Sequence, residues 1–286
     1  MKRFTAFALA LLFLLTLTAC GEKEPSNGPF ENFTLPTAGT SEPAETSAPA
    51  QTEEPTESPT EEPPQPDDPY ERLEGLVYEP YNDGGEYEVV YDSEYSNLYY
   101  YSYHLPMLTA STEGARAIND AIDESFGQLI EDQYAAMKDG VDLGYNIVNW
   151  YPSFYKDLVI LLVVAESYYG FTENGVYCYE KNTGQWLRGR ELLDYLCIEE
   201  EGFLEATRQA AEECFISYYG DIPEEDREVY GYDSQLAWTV SDENINLDNL
   251  MFYPDLDGNI TVIARIGSLA GADWYYQYLY PEIAFG

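Results

Sequence analysis

The order of apolar and polar positions divides the chain into three parts. Residues 4–17 are almost continuously apolar, residues 21–69 show no apolar period, and residues 70–286 contain strand-like and helix-like patterns. Glu86–Tyr91 and Leu98–Leu105 are rich in Tyr and Val, and they predict two strands on either side of a polar segment. A folded domain is therefore expected in residues 70–286.

Two segments of this domain carry the i, i+3/i+4 spacing of an amphipathic helix. The first can be capped by Ser111 or Thr112 and ends at Asp139-Gly140. Its apolar stripe consists of Ala115, Ile118, Ile122, Phe126, Leu129, Ile130 and Met137. The second is Glu200–Tyr219, and a shorter helix is expected before it over Glu191–Leu196.

The remaining strands surround one strongly apolar run. Leu158–Val164 is apolar at every position, which predicts a central strand covered on both faces. The other expected strands are Tyr145–Tyr155, Val176–Lys181, Leu236–Val240, Leu250–Tyr253 and Ile260–Ile266, with a hairpin turn at Asp255–Asn259. The expected fold class is α+β, a mainly antiparallel sheet with two main helices packed on it, preceded by a disordered stalk.

Several of these segments resemble one known family. Ala115–Ile130 is similar to the helix with an Ile-Asn pattern in the extracytoplasmic domain of anti-sigma-V factors. Asp157–Glu166, Tyr177–Glu180, Asn182–Gln185 and Arg190–Leu193 resemble the second half of that domain. There a strand of buried aliphatic residues is followed by another strand, a Thr-Gly turn and a Leu-Leu helix. The resemblance covers about residues 86–286.

This resemblance implies a binding domain, because the anti-sigma-V relative recognises lysozyme, a basic cell-wall hydrolase. Related domains occur beside peptidoglycan deacetylases of Gram-positive bacteria. The chain departs from the family at Gly170–Gly175, where the family often has a Gly/His-rich segment and this sequence has no His. It also shows no sigma-binding segment and no membrane span, so inhibition of a sigma factor is not implied.

The first twenty residues have the pattern of a bacterial lipoprotein signal peptide. Lys2 and Arg3 precede an apolar run too short for a comfortable membrane span, and Leu17-Thr18-Ala19-Cys20 resembles a lipobox. We expect lipidation of Cys20 and a location at the extracytoplasmic face of the cytoplasmic membrane, with the domain in the cell wall or on the cell surface. The alternative is a plain secretory signal with an incidental cysteine.

Composition makes residues 21–69 a linker and the domain strongly acidic. The linker holds 11 of the 17 prolines and 12 acids against one Lys, which predicts a disordered, extended segment. Residues 70–286 hold 41 of the 53 acids and 10 of the 13 basic residues, so their net charge is −31. Phosphate contacts need cations, and we therefore expect no nucleic-acid partner.

The residues that could carry catalysis or bind a metal form no recognisable constellation. His104 is the single histidine, and no Gly-x-Ser-x-Gly motif accompanies it. Asp255 begins a stretch like a calcium loop, but Gly258 stands at its fourth position and Ile266 at its twelfth. We expect no enzyme activity, no catalytic residue, no metal and no cofactor. A carboxylate-dependent hydrolase is the weakest alternative. Such an enzyme needs one defined pair of catalytic carboxylates, and the spacing of the 41 acids singles out no pair.

Three cysteines follow the linker, so any internal disulfide leaves one over. We expect Cys178, Cys197 and Cys214 to be buried and unpaired. A disulfide between Cys197 and Cys214, or between Cys178 and Cys197, is the alternative in an oxidising exterior.

Aromatic clusters are the most informative candidates for binding. The candidate contact residues are Tyr99, Tyr101, Tyr103, Tyr168, Tyr169, Trp274, Tyr276 and Tyr278. A tyrosine buries an apolar ring while its hydroxyl stays in water, which suits interfaces. The simpler interpretation is packing, because alternate residues of a strand face opposite sides and about half of the tyrosines then belong to the core.

Together these patterns predict a lipid-anchored surface protein with a non-enzymatic binding or sensing domain. The expected partner is a cationic protein such as lysozyme, attracted by the negative charge of the domain. A cell-wall glycan bound by the Tyr and Trp clusters is the alternative partner.

Replacing Cys20 by Ser tests the predicted lipid anchor. We expect metabolic labelling with a fatty-acid analogue to mark the wild-type chain and the control variant Cys197→Ser, but not Cys20→Ser, because only the predicted acceptor thiol is lost in the last. Retention of the label in Cys20→Ser would contradict the assignment.

Overall fold

The computed structural model describes residues 68–286 apart from 93, 169, 171, 270–272 and 284–286. The predicted signal peptide, Cys20 and all but the last two residues of the predicted linker lie outside these residues. The strands are β1 (Val77–Asp92), β2 (Tyr95–Leu108), β3 (Tyr145–Tyr155), β4 (Leu158–Ser167), β5 (Thr172–Glu180), β6 (Gln185–Leu187), β7 (Met251–Pro254), β8 (Ile260–Gly267) and β9 (Trp274–Leu279). The helices are α1 (Glu113–Ile122), α2 (Gln128–Lys138), α3 (Arg190–Leu196), α4 (Glu200–Tyr219), α5 (Glu224–Tyr230) and α6 (Tyr232–Thr239), with a short 3₁₀ turn at Glu71–Leu73.

The described strands form two sheets, and the predicted α+β class with mainly antiparallel pairing is confirmed. The larger sheet has the order β1-β2-β3-β4-β5-β6, and the smaller one has the order β7-β8-β9. Every neighbouring pair is antiparallel except β2 and β3. A parallel pair needs a long crossover, which here contains α1 and α2. The expectation of one sheet is therefore corrected to two.

Strand β4 lies at the centre of the packing. Each residue from Leu158 to Ala165 is buried, as the continuous apolar run predicts. Val159, Leu161 and Val163 pack on the side that faces α1 and α2. Leu162 and Val164 pack on the opposite side against Ile263 of the smaller sheet. Both faces of β4 are therefore covered, each by a different layer.

Helices α1 and α2 form the layer on one side of the larger sheet. Thr112 caps α1 by accepting a hydrogen bond from the backbone N–H of Ala115, which decides between the two predicted caps. A π-helical turn at Asp123–Gly127 joins the two helices. Phe126 within that turn and Ile130 after it are both buried, so the apolar stripe stays on the sheet.

The smaller sheet and α4 form the layers on the other side. Helix α4 has the predicted bounds, and its buried residues Phe203, Thr207, Ala211 and Phe215 recur every fourth position. Phe203, Ala211 and Phe215 share a hydrophobic core with β8. The β8 members are Val262, Ala264 and Ile266. The Asp-Gly turn between β7 and β8 is also as predicted, since the Asp255 carboxylate accepts hydrogen bonds from the N–H groups of Asp257 and Asn259.

The segment between α4 and β7 differs from the prediction. Leu236–Val240 was expected as a strand, but it lies mostly in α6, and α5 covers the preceding acidic stretch. Gly231, at φ 67°, separates the two helices. Tyr232 and Thr239 are the buried residues of α6, seven positions apart, and a five-residue window is too short to show that spacing.

Among residues 68–286, outside the gaps given above, no helix is both long enough and apolar enough to cross a membrane.

Glycine substitutions test the contact between α1 and the turn that joins β5 to β6. A Cβ added at Gly114 would lie against the carbonyl oxygen of Gly184 and 2.6 Å from the backbone nitrogen of Trp186. We expect Gly114→Ala to lower the free energy of unfolding by about 1–3 kcal/mol despite its better helix propensity. The matched change Gly202→Ala in α4 meets no atom within 4 Å and is expected to raise it by about 0.5–1 kcal/mol. Urea denaturation measures both, and equal effects would contradict the proposed close packing.

Candidate binding surface

In the described part of the chain, the smaller sheet leaves the β1–β2 hairpin uncovered on the side away from α1 and α2. The smaller sheet packs against β4 and β5, at Leu162, Val164 and Val176. The register places Glu86 opposite Tyr100, Glu88 opposite Leu98, and Tyr151 opposite Leu162. We give the name open sheet face to six exposed side chains on the outward side of β1–β3. They are Glu86, Glu88, Val90, Leu98, Tyr100 and Tyr151.

The apolar members of the open sheet face are strongly exposed. The exposed fraction is 54% for Leu98, 57% for Val90 and 64% for Tyr100. Three large apolar side chains of one hairpin therefore reach solvent on the same side of the sheet, because positions two apart in a strand share a face. Exposed apolar side chains grouped in this way are typical of interaction sites.

Carboxylates alternate with these apolar groups. The Glu86 carboxylate lies beside Tyr100 and raises the pKa of its hydroxyl above the usual range. Ser96 Oγ donates a hydrogen bond to Glu88 Oε1. From Val77 to Leu108 the sequence has nine Tyr and six acids but no Lys or Arg. The hairpin thus offers aromatic rings and negative charge, with no Lys or Arg of its own to neutralise it.

His104 lies on the outward side of β2, close to the carboxylate of Glu79. Its Nδ1 lies 3.8 Å from Glu79 Oε2. The same carboxylate accepts hydrogen bonds from Trp150 Nε1 and from the side-chain amide of Asn82. Glu79 is therefore held by neighbouring side chains of the sheet.

Three of the predicted contact residues face the helices instead. Tyr103 has no exposed surface and Tyr99 is buried, so neither can serve as a surface contact, and this part of the prediction is corrected. Tyr101 is partly buried, with its ring 6.2 Å from that of Tyr134 on α2. The physical reason is the alternation of the strand, which puts positions 99, 101 and 103 on one face and position 100 on the other.

Tyr87 shows how the buried tyrosines are accommodated. Its hydroxyl donates to Asp142 Oδ1 at 2.8 Å and accepts from the side-chain amide of Asn146 at 2.7 Å. Desolvation, followed by the hydrogen bond to Asp142, raises the pKa of Tyr87 far above its usual value. Tyr87 therefore belongs to the core of the hairpin and keeps its proton.

The remaining predicted tyrosine pair lies beside the hairpin. Tyr168 is 66% exposed, and its ring meets that of Tyr99 edge to face at 5.0 Å between centroids. Tyr169, also a predicted contact, lies outside the described residues. Tyr168 directly follows β4, and its exposed ring packs on Tyr99.

The predicted aromatic residues of β9 are engaged within the fold. Tyr276 and Tyr278 pack against Leu162 and Val164 of β4, and the Tyr278 hydroxyl donates to Asn174 Oδ1 at 2.9 Å. The guanidinium of Arg265 lies 4.6 Å from the ring centre of Trp274. These side chains join the two sheets, so the structure does not bring them together with the tyrosines of β2.

The three cysteines in the described part of the chain are unpaired, as expected, but they differ in exposure. Cys178 is buried, Cys214 is partly buried and Cys197 is exposed, so the predicted burial is wrong for Cys197. Cys197 ends α3 at φ 58°, a left-handed position that turns its side chain away from the core. Burial raises the pKa of the Cys178 thiol to about 12, which suppresses its reactivity.

A cleft of about 770 Å³ lies between the β6 and β7 ends of the two sheets. Its floor includes Cys178 and Phe252, both buried. Its rim carries Arg188 and Arg190 together with the three acids Glu191, Asp194 and Asp248. Charges of both signs at the rim select neither an anionic nor a cationic ligand. Among the described residues, no group of three or more His, Cys, Asp or Glu side chains could hold a metal ion.

The predicted contacts include none of the six residues of the open sheet face, although the alternation of β1 and β2 contains the necessary signal. Once the face with Tyr103 is assigned to the core, the neighbouring positions must point outward. What was missing was the knowledge of which face the helices cover.

No known protein-family model matches this chain, and no curated protein matches it either. The resemblance to the extracytoplasmic domain of anti-sigma-V factors therefore stays a prediction from sequence patterns.

An alkaline titration tests the burial of the tyrosines. Desolvation raises the pKa of Tyr177 and of Tyr253 to about 12 from the usual 10. The folded state keeps these protons while the unfolded chain releases them near pH 10, so their contribution to stability is complete below pH 10 and is lost as the pH rises towards 12. We expect the free energy of unfolding to fall over this range, with a shallower fall in Tyr177→Phe. Tyrosinate absorbance that rises in a single step near pH 10, with the fold intact, would contradict this.

Proposed function

We propose that residues 70–286 form a non-enzymatic binding domain for a cationic protein, which docks on the open sheet face. The observation that carries the proposal is the hairpin of β1 and β2, whose exposed Val90, Leu98 and Tyr100 stand among carboxylates with no Lys or Arg in either strand. The resemblance to a lysozyme-recognising family supports the same class of partner.

Electrostatics supports both the sign and the range of the attraction. A domain with a net charge of −31 produces a negative potential that raises the rate of encounter with a cationic protein and repels anionic ones. Such steering weakens with salt, because the Debye length falls from about 10 Å at 0.1 M to about 3 Å at 1 M.

Apolar contact supplies the short-range part of the interaction. Tyr100 and Leu98 have neighbouring positions on one face of β2, and both are more than half exposed. Tyrosine is favoured at binding hot spots because a large rigid ring is buried at a low cost in conformational entropy.

The glycan alternative has less support. It relied on Trp274, Tyr276 and Tyr278 as stacking platforms. In the structure Tyr276 and Tyr278 pack between the sheets, and Arg265 covers one face of Trp274. The exposed side chains of the open sheet face therefore make the cationic protein the favoured partner.

The proposal includes the placement of the domain. A lipid on Cys20 and the Pro-rich, acidic residues 21–69 would hold the binding domain outside the cytoplasmic membrane.

Binding of a basic lysozyme to the whole chain tests the function. We expect Glu86→Gln combined with Glu88→Gln to weaken binding by at least about tenfold, and Tyr100→Ala to weaken it similarly. The matched control, Glu224→Gln with Glu225→Gln on exposed α5, removes the same charge and is expected to change affinity by less than about twofold.

Calorimetry at about 50 and about 300 mM NaCl measures these affinities and their salt dependence. Stronger binding at low salt, with a loss confined to the open sheet face variants, is the expected result. Absent binding at low salt, or an equal loss in the control, would overturn the proposal.

A further inference from the structure

Strand β1 is an exposed edge of the larger sheet. Among the described strands, β2 is its only partner, and β1 runs for 16 residues. Most of its middle is exposed, including Asn82, Asp83, Gly84 and Glu86. It also contains Pro80, which lacks an N–H group and is found in sheets essentially at edges and bulges.

The free edge leaves backbone hydrogen-bonding groups available. In an antiparallel pair, every second residue directs its N–H and C=O away from its partner strand. Along β1 these groups face outward, and such a row is a template for another strand. At about 3.4 Å per residue, its length is on the order of 50 Å, ample for a segment of several residues.

The charges on β1 decide which strand can pair there. Glu86 and Glu88 lie on the outward side and Asp83 on the helix side, so an added strand meets carboxylates on both faces. A second copy of this chain would bring the same carboxylates against them, and residues 21–69, with a net charge of −11, would be repelled as well. A cationic segment meets the opposite situation.

We infer that the partner contributes an extended, Lys- or Arg-containing segment that pairs with β1 as a seventh strand of the larger sheet. This inference rests on the proposed function and specifies how the partner is held. Backbone hydrogen bonds along β1 supply affinity, and cationic side chains two residues apart lie beside Glu86 and Glu88. The apolar contacts at Leu98 and Tyr100 belong to the same side of the sheet, so one partner can use both.

Backbone-methylated peptides test strand pairing without altering the protein. The probe is a peptide of about ten residues in which Lys alternates with Thr or Val, a length of about 34 Å when extended. Two further versions carry N-methyl groups on alternate residues, one on the even positions and one on the odd positions. A paired strand uses the N–H groups of only one of these sets.

We expect the parent peptide to bind the whole chain, and one methylated version to bind at least about tenfold more weakly while the other binds as the parent does. Hydrogen exchange is expected to slow at backbone amides of β1 when the parent peptide is bound. Equal affinity of all three peptides, or equal loss in both methylated versions, would overturn strand pairing.

The outcomes separate this inference from the proposed function. Lysozyme binding that depends on Glu86 and Glu88, without selective loss between the methylated peptides, would leave the proposed function standing and remove the strand-pairing inference. Failure of both lysozyme and the parent peptide to bind at low salt would overturn both.

Discussion

The burial of β4 on both faces is the constraint on which the rest of the structure depends. From Leu158 to Ala165 the strand presents no polar side chain, so water must be excluded on either side. Helices α1 and α2 exclude it on one side, and the smaller sheet with α4 behind it does so on the other. The smaller sheet has three strands and covers β4, β5 and part of β3, but not the β1–β2 hairpin among the described residues. The open sheet face exists because the larger sheet is wider than its second cover.

Tyrosine allows one hairpin to serve the core on one face and the surface on the other. Inward rings such as Tyr103 fill the space below α2, and their buried hydroxyls need hydrogen-bond partners. Tyr103 donates to the backbone carbonyl of Tyr145. Tyr87 donates to the carboxylate of Asp142 and accepts from the amide of Asn146. On the outward face the same residue type leaves its ring in solvent. The high tyrosine content is thus a property of both packing and surface.

Half of the ten Lys and Arg residues of the domain pack on aromatic rings. These five are Arg72, Lys156, Arg188, Arg227 and Arg265. Arg208 instead pairs with Asp242 and Glu205. None of these residues lies in β1 or β2, so the carboxylates of that hairpin keep their negative potential.

The sequence by itself determined the elements with long, uniform patterns, together with the charge. The bounds of α4 and β3, the turn at Asp255–Asn259 and the burial of β4 each leave a local pattern in the sequence. These patterns are a helical period, an alternation, an Asp-Gly turn and an unbroken apolar run. Short segments such as Leu236–Val240 held too few positions to separate helix from strand. Tertiary structure alone decided that the strands form two sheets and that Tyr100 rather than Tyr103 reaches solvent. Both depend on which distant segment covers which face, and strand alternation cannot tell the inner face from the outer one until that cover is known.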